Sequence, residues 1–183
     1  MRKLDDKALV ALLKATGDRD AFGELFRRHH GTMQGYLLSL GADGARVNDI
    51  MQQSFLTALL KIGQFRGEAS FRTWLFTIGY REHLQALRRA EIRQRAIKTL
   101  VDNQHDESDL NPNMNEEHID IARAISMLSE EERAALILCD AYGFSHGEAA
   151  KITGRPVGTI KSHIRRARIR AKNLLVEGEN NAS

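Results

Sequence analysis

Positively charged side chains are concentrated towards the C-terminal end of this 183-residue chain. Positions 151 to 172 hold eight lysines and arginines and no aspartate or glutamate. They are Lys151, Arg155, Lys161, Arg165, Arg166, Arg168, Arg170 and Lys172. A run of charges of one sign is typical of a surface that binds a polyanion. The simpler interpretation is that these charges lie on a solvated helix face. Because the cations coincide with the motif described next, we favour nucleic-acid binding.

The same segment has the pattern of a helix-turn-helix. A short helix from Ser145 to Thr153 precedes the turn Gly154-Arg155-Pro156, and proline suits the start of the next helix. Gly154 can adopt positive φ, and Ile160 is expected to face the core. The second helix would enter the major groove, although an ordinary helical hairpin is the alternative. The predicted DNA-binding residues here are Arg155, Val157, Thr159, Lys161, Ser162, His163, Arg165, Arg166 and Arg168.

Patterns for other kinds of chemistry are missing from the sequence. It has no nucleotide-binding loop, no zinc-ligand spacing among its seven histidines and one cysteine, and no Ser/His/Asp order that stands out. We therefore predict no cofactor, no metal and no catalytic activity of its own. No run approaches the roughly 18 apolar residues of a membrane span, and residues 1–20 are charged throughout. A cytoplasmic protein without membrane insertion is expected.

Apolar residues recur at helical spacing along most of the chain, and no segment has convincing strand periodicity. The predicted fold class is therefore all-α. Four helices are predicted in the first half, carrying the apolar residues of Leu9–Leu13, Phe22–Leu40, Val47–Ile62 and Phe71–Ile78. The fourth would be capped by Ser70 and would continue to about Arg95. Ser129 and Ser145 begin capping boxes for later helices.

Between the two groups of helices the composition changes. Positions 101 to 120 hold seven acidic residues and no lysine or arginine, and Pro112 lies among them. Such a segment is typical of a weakly structured, flexible linker. The sequence therefore predicts two small helical domains, residues 5–96 and 119–176, joined by an acidic linker over residues 97–118.

Motifs in both halves resemble one bacterial family. Leu128-Ser-Glu-Glu-Glu-Arg133, Tyr142-Gly-Phe-Ser-His-Gly-Glu-Ala-Ala150 and Arg155-Pro-Val-Gly-Thr-Ile-Lys-Ser162 resemble region 4 of extracytoplasmic-function (ECF) sigma factors. Asp49-Ile-Met-Gln-Gln-Ser-Phe55 and Ser70-Phe-Arg-Thr-Trp-Leu75 are similar to region 2. The resemblance implies a minimal, group IV sigma factor of the sigma-70 family that directs RNA polymerase to promoter DNA. It further implies a role in a stress or envelope response and control by an anti-sigma factor.

The resemblance implies contacts with core RNA polymerase, on the coiled coil of the β′ subunit and on the β subunit. The implied residues on the β′ coiled coil are Asp49, Gln52 and Gln53. A helix with an apolar stripe on one side and these three residues on the other fits a helix–helix contact. A plain amphipathic core helix is the alternative. Family members usually have glutamate where this chain has Gln53, so one charge is missing here.

The resemblance also implies that the segment around Ser70 holds the −10 element of the promoter. Bases that leave the duplex need aromatic partners, and the strand backbone needs cations. The implied −10 residues are Phe65, Arg66, Arg72, Trp74, Tyr80, Arg81, Arg88 and Arg89. From its helical spacing with Phe71 and Ile78, Trp74 is the better candidate for a core residue.

Further residues depart from the family pattern. Gly79-Tyr80-Arg81 stands where members usually have Ala-Arg-Asn, Gln85 replaces a usual aspartate, and His163 replaces a usual arginine. The preferred −10 and −35 sequences are therefore expected to differ from those of typical members. On its own, His163 is interpreted more simply as a polar surface residue.

Two other classes of protein compete with this interpretation. A conventional helix-turn-helix activator or repressor would use its N-terminal half to sense a ligand or to dimerise. A sigma mimic would bind a regulator without binding DNA. The region 2 motifs favour a sigma factor over the first class, and the intact cationic helix favours it over the second.

Overall fold

A computed structural model describes residues 4–42, 44–100 and 127–181, and within these ranges the chain forms helices and no strand. The helices are α1 (Asp6–Thr16), α2 (Arg19–Ser39), α3 (Gly44–Lys61), α4 (Phe71–Leu100), α5 (Glu130–Leu136), α6 (His146–Thr153) and α7 (Val157–Asn181). A 3₁₀ turn, Ile62–Gln64, follows α3, and a π-helical turn, Ile137–Ala141, follows α5. The all-α prediction is confirmed.

Side-chain caps fix where the first helices begin. The Asp5 carboxylate accepts a hydrogen bond from the backbone N–H of Ala8, and Asp18 does the same for Asp20 and Ala21. The Ser70 hydroxyl accepts from the N–H of Thr73 at the start of α4, as predicted. These oxygens satisfy N–H groups that have no partner within their own helix, so each start is defined locally.

Helices α1 to α4 enclose the core of the N-terminal half. Leu9, Leu25 and Leu75 are fully buried there, and Met33 of α2 packs against α4. A Cβ atom at Gly79 of α4 would lie 2.7 Å from the Met33 sulfur, so glycine permits this close approach. Most of the predicted apolar stripes are therefore buried in the bundle, although Phe26 and Leu59 are exposed.

The C-terminal half is a smaller helical unit built on α5, α6 and α7. Leu138, Ile152, Ile160 and Ile164 are buried between these elements. The unit does not stand apart from the N-terminal bundle, because α6 packs directly on α4. The described helices therefore form one continuous body, a contact that the flexible-linker prediction did not anticipate.

The structure describes only the first residues of the segment predicted as linker. Helix α4 continues to Leu100, four residues into the segment predicted as linker, because nothing in the sequence stops the helix at position 96. The rest of the predicted linker, residues 101–118, and the first residues of the domain predicted over 119–176 lie outside the described residues. None of the described helices is long and apolar enough to cross a membrane.

Candidate nucleic-acid interface

The helix-turn-helix is formed by α6, the turn after it and α7. Ser145 and Glu148 make a complete capping box at the start of α6: the Ser145 hydroxyl accepts from the Glu148 N–H, and the Glu148 carboxylate accepts from the Ser145 N–H. Gly154 ends α6 with φ 70°, a left-handed conformation that favours glycine. Ile160 is 1% exposed and anchors α7 to the core. The predicted motif is therefore present, with the first turns of α7 on the surface.

Lys161 and Arg165 occupy the open face of α7. Both side chains are exposed, and among the described residues neither forms an ion pair or a hydrogen bond. They lie four residues apart, so they point the same way from the helix. Their positive charge is therefore available to a polyanion.

The neighbouring arginines are held by acidic side chains of their own half. Arg155 pairs with Glu131 at 2.6 Å and Arg168 with Asp140 at 2.8 Å, both at exposed positions. Arg166 pairs with Glu132 at 3.0 Å and also donates a hydrogen bond to Nδ1 of His163 at 3.1 Å. Of the predicted DNA-binding arginines, Arg165 is therefore unpaired among the described residues, whereas the other three are paired. The side chains of the three paired arginines remain more than half exposed.

Glu132 is the buried acid at the centre of these pairs. One carboxylate oxygen accepts from Nε of Arg166 and the other from Nη1 of Arg170 at 2.7 Å. Burial alone would raise the pKa of Glu132, but hydrogen bonds from Arg166 and the Ser129 backbone outweigh it and lower the pKa. The carboxylate is thus ionised and fixes two arginines of α7. Glu132 also completes the capping box that was predicted to begin at Ser129.

The three other predicted residues of α7 differ in exposure. Val157 and Ser162 are exposed, whereas Thr159 is half-buried. The Ser162 hydroxyl donates to the Thr159 carbonyl at 2.8 Å, which leaves its oxygen free to accept. All three lie near the N-terminal end of α7, the part that a recognition helix inserts into the major groove.

In the N-terminal half, α3 presents a mixed polar and apolar face to solvent. Asp49, Gln52 and Gln53 are all exposed, and Leu56 and Leu60 continue the same side of the helix. Leu60 is 75% exposed, which is unusual for a leucine on a helix whose other side is in the core. This face is suited to packing against a helix of another protein.

The loop after α3 and the start of α4 bring aromatic rings and cations together. The ring centroids of Phe65 and Trp74 are 5.1 Å apart, and Phe71 packs against both. Trp74 is half-buried, so part of its ring remains accessible, whereas Phe71 belongs to the core. Around this cluster and further along α4, the predicted cations Arg66, Arg81, Arg88 and Arg89 are exposed.

Two predicted −10 residues are not free on the surface. Tyr80 is only 3% exposed, and burial raises its pKa to about 12. Arg72 is half-buried, because its Nη2 donates to the Tyr142 carbonyl at 2.7 Å and its guanidinium lies 4.1 Å from the centre of the Phe144 ring. These contacts could not be predicted from the sequence, because nothing local to Arg72 indicates a partner so far along the chain.

These features define the class: an all-helical protein with a cationic helix-turn-helix and a second helical bundle that presents an exposed helix face of polar and apolar residues. The sequence matches the family model of sigma-70 region 2 over residues 25–93 and that of sigma-70 region 4 over residues 118–170. Together these matches cover more than half of the chain.

Characterised relatives agree with the family models. The chain is 34% identical to the ECF RNA polymerase sigma factor RpoE of Cereibacter sphaeroides, covering 90% of this chain and 93% of that protein. It is 33% identical to the ECF sigma factor SigM of Mycobacterium tuberculosis, covering 87% and 79%. The chain therefore belongs to the ECF sigma factors of the sigma-70 family.

Two solved structures resemble the fold over both halves. The sigma factor RpoE of Bartonella quintana, in complex with the anti-sigma factor NepR, has a TM-score of 0.67 at 29% identity, over 84% of this chain and 96% of that one. CnrH, in complex with the cytosolic domain of CnrY, has a TM-score of 0.69 at 25% identity, over 94% and 99%.

Proposed function

We propose that this protein binds core RNA polymerase and directs it to promoters, with α7 at the −35 element and the Phe65–Arg89 segment at the −10 element. The observation that carries the proposal is that one chain combines two open surfaces. One is the cationic face of Lys161 and Arg165, and the other is the α3 face of Asp49, Gln52 and Gln53. A DNA-binding domain alone would need only the first.

The roles of the two halves follow from these surfaces. Residues 5–96 would form the part that binds the polymerase and the −10 element, and residues 119–176 the part that binds the −35 element, with 97–118 as the connection. Lys161 and Arg165 would contact bases or phosphates directly, whereas Arg155, Arg166 and Arg168 would contact phosphates while keeping their acidic partners. The polymerase would catalyse RNA synthesis, and this chain would act without a cofactor.

The α3 face is the proposed contact with the β′ coiled coil. Its polar residues would form hydrogen bonds at one end while Leu56 and Leu60 bury apolar surface at the other. Further contacts with the β subunit would complete the holoenzyme. The protein would act in the cytoplasm, where the polymerase is.

An anti-sigma factor is the second proposed partner. One solved structure described above is a complex with the anti-sigma factor NepR, and the other is a complex with the cytosolic domain of CnrY. The resemblance of the first to this chain supports control of this chain by an anti-sigma factor as well.

Run-off transcription tests the proposal. Purified protein with core polymerase should start transcripts at defined promoters, and the protein alone should bind the same DNA weakly. The K161A/R165A double variant should lose about 1–3 kcal/mol of promoter binding for each side chain that contacts a base, and less for a phosphate contact. R19A, which removes an exposed cation at the start of α2, is the matched control and should behave like the wild type.

The competing classes predict other outcomes. A conventional repressor would footprint a palindrome tightly by itself and gain nothing from core polymerase. A sigma mimic would fail to bind DNA with or without core polymerase. Either result would contradict the proposal.

A further inference from the structure

His163 lies on one flank of α7, beside other residues proposed to bind the −35 element. Thr159 is four residues before it and Arg166 three residues after it, so these three side chains share one side of the helix. Lys161, two residues earlier, points about 160° away around the helix axis. His163 and Lys161 would therefore meet different parts of a bound duplex.

A chain of hydrogen bonds connects His163 to a buried acid of α5. Nη2 of Arg166 donates to Nδ1 of His163 at 3.1 Å, and Nε of Arg166 donates to a carboxylate oxygen of Glu132 at 3.0 Å. The Glu132 side chain is only 4% exposed, whereas that of Arg166 is 52% exposed. The series Glu132–Arg166–His163, which we call the Glu132 relay, therefore runs from the interior of the C-terminal half to its surface.

The buried end of the Glu132 relay is held in place by further bonds. Its second carboxylate oxygen accepts from Nη1 of Arg170 at 2.7 Å and from the backbone N–H of Ser129 in the capping box. Hydrogen bonds between ionised groups are shorter and stronger than those between neutral groups. Because Glu132 is fixed, it fixes the plane of the Arg166 guanidinium and the direction in which Arg166 donates to His163.

The chemistry of arginine determines which ring nitrogen of His163 carries the proton. A guanidinium donates hydrogen bonds and has no acceptor, so Nδ1 of His163 must accept from Arg166. In a neutral imidazole the proton is then on Nε2, which acts as a donor. Among the described residues, Nε2 of His163 has no hydrogen-bond partner. The ring is thus left with one free donor and no free acceptor.

A donor on a recognition helix is matched by an acceptor on the DNA. We propose that the Glu132 relay fixes the tautomer and direction of His163, so that its Nε2–H donates to one acceptor of the −35 element. Glu132 is then a positioning residue that acts through Arg166. The arginine usual at this position in the family carries five donors and needs no such relay. The proposal rests on the proposed function, because it specifies how one residue of α7 binds the −35 element.

A single donor limits what His163 can distinguish. In the major groove, N7 of guanine or adenine and O4 of thymine are acceptors, whereas cytosine presents an amino donor. An arginine can bind O6 and N7 of guanine together, but one N–H of His163 can bind only one of them. A base contact should therefore tolerate either purine, and a phosphate contact should tolerate every base. H163R should restore a preference for guanine only in the first case.

The first measurement reports on the Glu132 relay without DNA or polymerase. Long-range nitrogen–proton NMR correlation spectra of the full-length protein distinguish the two neutral tautomers of histidine under mildly alkaline conditions. The signals that are missing from H163Q assign His163. E132Q removes the charge that holds Arg166, while a glutamine can still complete the capping box. D140N is the matched control, because Asp140 holds Arg168 of the same helix and does not touch the relay.

The proposal expects E132Q alone to change the ring. His163 should carry its proton on Nε2 in the wild type and in D140N, and should show a mixture of both tautomers in E132Q. R166M, which removes the donor from an exposed position, provides a second variant if circular dichroism shows that E132Q does not fold. A wild-type ring protonated on Nδ1 would overturn the proposal. So would a ring that is unchanged in both variants.

The second measurement identifies the acceptor on the DNA. Holoenzyme made with core polymerase is titrated with promoters in which one acceptor of the −35 element is removed at a time. Base analogues that lack N7 or O4 test the bases, and methylphosphonates test the phosphates. Loss of the contacted acceptor should weaken binding by the wild type about three- to tenfold. H163F keeps a ring but has no donor, so the same substitution should have no further effect on it.

Two results with DNA would overturn the proposal. The first is an H163F holoenzyme that binds the unmodified promoter as tightly as the wild type. The second is a set of analogues whose effects are the same in H163F and in the wild type at every position. Absence of promoter binding by every holoenzyme, including the wild type, would instead contradict the proposed function, and the NMR spectra would still report on the Glu132 relay.

Discussion

The two surfaces assigned to DNA are positioned by contacts of very different range along the chain. On the C-terminal side, the capping box of Ser145, the turn at Gly154 and the buried Ile160 all lie within sixteen positions of one another. On the N-terminal side, Arg72 is held by a carbonyl 70 positions away. The first surface is complete within its own half, whereas the second depends on where the other half sits.

The largest expected effect comes from breaking the local unit. I160A would remove a buried side chain from between α6 and α7, and large-to-small changes of this kind cost about 2–5 kcal/mol of unfolding free energy. Ile169 lies on the same helix but is 50% exposed, so I169A is the matched control with a much smaller loss. Chemical denaturation measures both, and equal losses would show that Ile160 is not the anchor of α7.

The features that could be predicted from the sequence depend on interactions between residues that are close along the chain. Ser70, Ser129 and Ser145 each cap a helix through a side chain that lies three residues from its partner, so the pattern could be recognised within a few positions. The same holds for the helix-turn-helix and for its open face at Lys161 and Arg165.

The features that sequence reasoning missed depend on distant neighbours. The burial of Tyr80 and the capture of Arg72 result from packing between the two halves, which no local pattern encodes. The pairing of Arg166 with Glu132 was missed for a related reason, because Glu132 already had a local explanation as a cap. The predicted roles of Tyr80 and Arg72 at the −10 element remain predictions.

An effect of intermediate size is expected in the pH dependence of the unfolding free energy, through a histidine at the contact between the two halves. His83 of α4 is buried, and its Nε2 lies 3.6 Å from a carboxylate oxygen of Glu130 on α5. Burial, with a smaller contribution from Arg133, lowers the pKa of His83 from 6.5 to about 4. The unfolded chain therefore binds a proton that the folded chain does not, so stability should fall as the pH drops from 6.5 towards 4.

The measurement compares unfolding free energy at pH 7 and pH 4.5 for the wild type and H83Q. The wild type should lose about 2 kcal/mol more than the variant over this range. Burial raises the pKa of Glu130, which acts in the opposite direction, but Glu130 is present in both proteins and largely cancels in the comparison. H146Q, at an exposed position, is the control. A wild type and H83Q with the same pH dependence would indicate that His83 is not covered by the C-terminal half.

The smallest expected effect concerns the α3 face, which lies away from the contact between the halves. Gln53 is exposed beside Asp49 and hydrogen-bonds only weakly, at 3.4 Å, to Thr57. Because family members usually carry glutamate here, Q53E should strengthen binding to core polymerase by up to about 1 kcal/mol, as expected for an exposed charge pair. Titration of labelled protein with core polymerase at two salt concentrations measures the gain, which should shrink at the higher one.

Q52E is the matched control for Q53E, because it adds the same charge to the same exposed face one position away. A specific contact at position 53 predicts a gain in affinity for Q53E and little or none for Q52E. Equal gains in the two variants would show that any added negative charge on the α3 face suffices, and would contradict a specific polymerase contact at Gln53.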